Sequence, residues 1–205
     1  MMIDAESFLS NFKMEWQNTI SIYHDTDLLR RISDTWDNKA ERTKFMLEKG
    51  GFLYRVMNRF LLEYPDLEYR TEIYTIDALY MGGEITYRSR TYDYPTHVYA
   101  VIEHENESNV EEEMWKLLLF RPALKILIFY DFDEHRKTTE RRRCFVENKI
   151  SDLQQMISRA HSFLPESNQV SYVCLIGNRK REDSFLTWRW TKTNARFEYG
   201  SLKEL

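Results

Sequence analysis

A chain of 205 residues with 42% hydrophobic and 30% charged side chains carries enough apolar material for one ordinary domain with a sizeable core. Its formal net charge of −4 argues against a general coat for nucleic acid but leaves room for a local basic patch beside an acidic site. Two cysteines, Cys144 and Cys174, are too few for a disulfide framework and form no metal-type cluster, so they read as reduced thiols in a cytoplasmic protein.

The N-terminal stretch MMIDAESFLSNF has no basic region of the signal-peptide kind. No apolar run approaches the roughly 20 residues that span a bilayer, so no membrane partner is expected. Residues 1–38 read as an N-terminal helical extension. Phe8, Phe12, Trp16 and Ile20 recur at helical spacing, and Asp25 or Asp27 can cap a further short helix carrying Leu28, Leu29 and Ile32. A longer helix is expected over 38–63, with Phe45, Phe52, Leu53, Val56, Met57, Phe60 and Leu61 on one stripe. Gly50 and Gly51 interrupt it at a cost of about 2 kcal/mol relative to alanine, which means a break or a close backbone approach.

Residues 67–83 are β-rich, with Gly82-Gly83 as a turn. ITYRSRTYDYP follows as a polar, aromatic loop or short strand. HVYAVIEHEN, starting at His97, then begins as a strand and ends in Glu103 and Glu105, whose period-two spacing puts both carboxylates on one face. Two adjacent acids at the end of an apolar strand repel each other. They call for a cation, a proton or donors if partly buried, or else for a loop end open to water. His104 points to the opposite face and reads as a core histidine.

Ser108 or Asn109 can cap the next helix, with Glu111 or Glu112 closing a capping box, and Val110, Met114, Leu117 and Leu118 form its buried stripe. LKILIFYDF, from Leu124, is a strand covered on both faces. A basic segment, HRKTTERRR, leads into a long helix with Val146, Ile150, Leu153, Ile157, Ala160 and Leu164 on its core stripe, ended by Pro165. VSYVCLIGN is another buried strand, GNRKREDS a turn, and FLTWRWTK a final strand. This order indicates an α/β three-layer sandwich, a central mixed sheet flanked by helices, in a single domain over 1–205.

Thr75-Ile76-Asp77 in one strand, Ile102-Glu103-His104-Glu105-Asn106 at the end of another, and an amphipathic helix then a buried strand after it resemble the PD-(D/E)xK nuclease superfamily, the restriction-endonuclease-like fold. The resemblance covers about residues 40–132, with 133–205 supplying a further helix and strands. It implies a metal-dependent nuclease hydrolysing phosphodiester bonds of DNA. Asp77 and Glu103 would hold Mg²⁺ or Mn²⁺, and an acid of the first core helix would be an outer ligand: Glu48, with Glu41 and Glu63 as alternatives. The usual lysine position is occupied by Glu105, which would position water or a second metal. Lys116, on the following helix, is the substitute lysine if its stem reaches back to the acids; the other reading pairs it with Glu112 or Glu113 on the surface.

A nuclease must also hold an anion. Arg136, Lys137, Arg141, Arg142 and Arg143 cluster at the start of the long helix, where backbone N–H groups already favour phosphate. Arg88 and Arg90 lie between the two acid-bearing strands, and Arg179, Lys180 and Arg181 form a second basic cluster ahead of Trp188, Arg189 and Trp190. Such contacts give affinity without sequence information. The alternative is a catalytically inactive nuclease-fold protein acting as a nucleic-acid- or protein-binding partner, with the helical segments beside the core as a possible homodimer surface.

Overall fold

A computed structural model describes residues 2–23, 38–73, 75–87, 90–105, 109–122, 124–131, 139–163, 170–178, 185–191 and 196–201. Helices α1 (Ala5–Tyr23), α2 (Lys39–Met46) and α3 (Phe52–Asn58) precede strands β1 (Leu67–Ile73), β2 (Ile76–Tyr87) and β3 (Arg90–His104). Helix α4 (Val110–Leu119), strand β4 (Leu124–Asp131) and helix α5 (Thr139–Phe163) follow, then β5 (Ser171–Asn178), β6 (Phe185–Thr191) and β7 (Arg196–Ser201). The strands form one sheet in chain order, β1 to β7. β4 pairs parallel with both β3 and β5, and the other neighbours pair antiparallel. A parallel pair needs a crossover rather than a tight turn, and α4 and α5 are those crossovers.

The period of two in β4 decides the layers. Leu124, Ile126, Ile128 and Tyr130 pack with α1, α2 and α3 on one face. Leu127 and Phe129 pack with α4 and α5 on the other. All eight positions of β4 are buried, as its unbroken apolar run requires. The chain is thus an α/β protein with a seven-stranded mixed sheet covered by helices on both faces. No helix among the described residues is long and apolar enough to cross a membrane.

Several elements differ from the sequence expectation. The N-terminal helix is no extension: Phe8 and Phe12 are fully buried, and Phe12 meets Phe52 and Phe185 edge-on at 5.0 and 5.2 Å. Its stripe fills the core beside the sheet. The helix expected over 38–63 is two, because Gly50 adopts φ +91° and a Cβ on Gly51 would lie 2.8 Å from the Glu48 carbonyl. Gly82-Gly83 is not a turn. β2 runs through it, with register shifts against β3 at Tyr80/Met81 and Glu84/Ile85. Gly82 lies against the Tyr99 ring, where a Cβ would come within 3.1 Å. The expected loop after it is β-structure, so β2 and β3 form one long hairpin. β7 was not expected at all. At α4 the cap is Asn109, without a side-chain capping bond. Asp25, Asp27, Leu28, Leu29, Ile32, Asn106, Ser108, Leu164 and Pro165, together with the 179–184 basic turn, lie outside the described residues.

One ion-pair network fastens α1 to α3. Glu15, 6% exposed, receives Arg55 Nε at 2.7 Å and Arg59 Nη2 at 3.0 Å, while Thr19 Oγ1 accepts from Arg55 Nη2 at 3.3 Å. The carboxylate is buried and both guanidiniums reach solvent. Glu15→Ala leaves two arginines that can rehydrate, whereas removing both arginines strands a buried charge. Glu15→Ala is expected to cost about 1–2 kcal/mol and Arg55→Ala/Arg59→Ala about 3 kcal/mol or more, read from chemical-denaturation midpoints. Equal losses would mean that helix packing, not the charge, holds α1 in place.

Candidate active site

The strand pairing that ends at Ala78↔Ile102 brings Asp77 and Glu103 next to each other across β2 and β3. A tight turn precedes Asp77, with Thr75 at φ +68°. Asp77 Oδ2 accepts the His104 backbone N–H at 2.8 Å, which ties the acid to the end of the neighbouring strand. Glu103 shares the face of Val101, toward α4 and α5, and is fully buried.

Helix α4 lies over these acids because its apolar stripe, Val110, Met114, Leu117 and Leu118, packs on Ile76, Leu79, Val101, Leu127 and Phe129. That register turns Glu113 and Lys116 toward the strands. The Lys116 ammonium forms ion pairs with Glu113 and, at 3.3 Å, with Glu103 Oε1, and donates to the Thr75 carbonyl at 3.2 Å. Apart from Lys116 and the neighbouring Glu113 carboxyl, neither oxygen of Glu103 has a partner among the described residues.

The electrostatics follow from burial and crowding. Burial, then Asp77 and Glu113, push the Glu103 carboxyl up to about 9 against the pull of Lys116. Burial also raises Glu113, with Lys116 and Glu103 opposing. Burial works against the Lys116 ammonium, but the two glutamates outweigh it and hold its pKa above the ordinary lysine range. The arrangement is three acids around one lysine, in a pocket that hydrates them poorly.

His104 belongs to the other face. Its Nε2 lies 2.9 Å from the Tyr130 hydroxyl, and burial, reinforced by Arg42, pushes the imidazole down to about 3. It is a neutral core histidine.

The remaining sequence candidates have the following places. Glu105 sits one residue past the end of β3, where its N–H donates to the Ile128 carbonyl at 2.8 Å and its side chain is half-buried. Glu48 is exposed in the turn between α2 and α3. Glu63, in the turn after α3, and Glu41, in the first turn of α2, are exposed too. Arg90 opens β3 and Glu103 nearly closes it, so they stand roughly 40 Å apart at about 3.4 Å per residue. The long hairpin thus separates Arg90 from the acids that a short loop would have put beside it. Arg141 and Arg143 are exposed in the first turns of α5, Arg143 paired with Glu147 at 3.6 Å. Arg142 is 7% exposed and faces inward, so it offers no open phosphate contact. Arg88, Arg136 and Lys137 lie outside the described residues.

Glu113 is the residue that the sequence reading passed over as a site member. Its signal was an acid on the buried face of an amphipathic helix, next to Met114 and one turn before Leu117. A surface pair with Lys116 accounted for the i,i+3 spacing and hid the burial.

Asp77 and Glu103 offer oxygen donors only, the hard ligands that suit Mg²⁺ or Mn²⁺. Mg²⁺ keeps several waters and is commonly held by one or two carboxylates, so this pair is sufficient in kind. The buried oxygens of Glu103 are what such an ion would satisfy. Among the described residues no three of His, Cys, Asp and Glu form a closed ligand set. Compared with known proteins, the chain matches no family model, no curated protein and no solved structure.

Proposed function

We propose that the chain is a metal-dependent nuclease that hydrolyses phosphodiester bonds of DNA, built on a restriction-endonuclease-like arrangement of the PD-(D/E)xK kind. One observation carries the reading: Glu103 lies beside Asp77 of the paired strand and 3.3 Å from the ammonium of Lys116 on the following helix. Helices, three antiparallel strands, a helix and a strand paired parallel to the third agree with the order that such an arrangement needs.

In this reading Asp77 and Glu103 hold Mg²⁺ or Mn²⁺. The ion, when bound, polarises the scissile phosphate and lowers the pKa of a coordinated water. Asp77 is oriented by the His104 N–H. Lys116, fixed by Glu113 and the Thr75 carbonyl, places a positive charge beside the acids, where negative charge develops on the phosphoryl oxygens. Glu105 is not needed as a lysine substitute, because α4 supplies the lysine. The parallel strands β3, β4 and β5 end at one edge of the sheet, from which α4 and α5 depart, so Arg141 and Arg143 follow from the same edge as the acids.

Supercoiled plasmid incubated with Mg²⁺ or Mn²⁺ tests the reading. The wild type is expected to nick it, and Asp77→Ala to do so at least about a hundredfold more slowly, the scale of losing one charge-stabilising group. Cleavage that survives Asp77→Ala would place the activity elsewhere. A second reading, a nuclease-like protein that binds partners without cutting, is favoured by the engagement of Lys116 with three acceptors. It predicts no plasmid nicking under any of these conditions.

A further inference from the structure

Counting charge around Lys116 exposes an imbalance. Once a divalent ion displaces the Glu103 proton, Asp77 and Glu103 carry two negative charges, and Lys116 alone would cancel one of them. A divalent ion would then meet a site of charge −1 that already holds a cation. Glu113 alters that count. It is 6% exposed and its carboxylate ion-pairs with the Lys116 ammonium, which also lies 3.3 Å from Glu103 Oε1. The lysine charge is therefore divided between Glu113 and Glu103 rather than spent on Glu103 alone. With that proton displaced, Asp77 and Glu103 present a net −2 to the ion, and Glu103 is fully buried with only Lys116 and the Glu113 carboxyl against its oxygens among the described residues.

We infer that Glu113 is a positioning residue that neutralises Lys116 and thereby reserves the Asp77–Glu103 pair for a divalent cation. This rests on the proposed metal-dependent reading and adds to it what sets metal affinity. Without Glu113, the lysine swings its full charge onto Glu103 and competes with the metal. With Glu113, the same ammonium stays within reach of the site without occupying its charge. The helix spacing Glu113-x-x-Lys116 puts both side chains on the strand-facing side of one turn, so the pair is set before any ion arrives.

A cycle of Mn²⁺ titrations by calorimetry on the full chain tests the inference without any activity readout. Glu113→Gln is expected to weaken Mn²⁺ binding about tenfold or more, the size of effect typical of a group that orients a metal ligand from outside. Lys116→Met is expected to bind at least as tightly as the wild type. The double variant Glu113→Gln/Lys116→Met, which removes the neutraliser and the competitor together, is expected to return to within about threefold of the wild type, inside the scatter of coupled changes. Thermal melts check that each variant is folded, and if Glu113→Gln alone does not fold, the double variant decides. A Glu113→Gln variant that binds like the wild type overturns the inference. So does a double variant that stays about tenfold weak, since Glu113 would then act as a ligand itself. In both of those cases the metal reading stands. A wild type that binds no Mn²⁺ at millimolar concentration overturns the metal reading and the inference with it.

Discussion

On the proposed function, Glu103→Gln is expected to abolish metal-dependent cleavage and, at the same time, to raise the melting temperature of the metal-free protein at pH 8. The two effects share one cause. Glu103 is fully buried beside Asp77 and Glu113, and its carboxyl is pushed up to about 9 from an ordinary 4.5. Between those two values the folded chain keeps a proton that the unfolded chain has released. Stability is therefore greatest below the lower value and falls as pH rises toward the higher one, by up to about 1.4 kcal/mol per pH unit. Glutamine has the same shape and no proton to lose, so the variant escapes that slope. Melts in a chelator should show the variant ahead at pH 8 and the gap closing toward pH 5. A wild type that is the more stable of the two at pH 8 would mean that the buried carboxylate is better satisfied than its surroundings indicate. On the proposal, the loss of activity follows from removing a metal ligand. That forfeits several kcal/mol of transition-state stabilisation, which at 1.36 kcal/mol per tenfold is about a thousandfold or more in rate.

Lys116→Met separates binding from chemistry. The methionine keeps most of the stem and removes the charge. Cleavage is expected to fall about a hundred- to a thousandfold, the usual cost of deleting one group aimed at developing negative charge. Stability of the metal-free protein should fall as well, because Glu103 and Glu113 lose their shared cation in a poorly hydrated pocket; about 3 kcal/mol is the scale for breaking such a buried pair. Added Mn²⁺ should recover much of that loss, since it supplies the missing positive charge. Single-turnover cleavage and melts with and without Mn²⁺ read all three effects. If cleavage remains near the wild-type rate, Lys116 only balances charge and takes no part in the reaction.

Legibility in the sequence depended on whether one local rule decided the outcome. The meeting of Asp77 and Glu103 follows from strand alternation and pairing, and the buried strand at Leu124 from an apolar run with no polar face. Residues subject to two rules at once were misread. Gly82 and Gly83 look like a turn, but the close approach of the Tyr99 ring and a positive φ at Gly83 make them a bulged stretch of strand. Glu113 looks like half of a surface pair, yet the apolar stripe of α4 carries it inward. Arg142 lies in a run of three arginines whose helical period turns one of them into the protein. β7, RFEYGS, is short and polar and exists as a strand because β6 offers it an edge.

The order of the sheet carries a consequence for how the chain is made. Each strand pairs with the one synthesised just before it, so the sheet can grow by addition as the polypeptide emerges. The first helix cannot finish its task in the same way. Phe12 and Trp16 of α1 rest against Phe185 of β6, with ring centroids 5.2 and 4.9 Å apart. At translation rates of about 5–20 residues per second, those aromatic rings wait on the order of ten seconds or more for their partner. For that interval the aromatic face of α1 has no complete seat, and the nascent chain exposes it until β6 arrives.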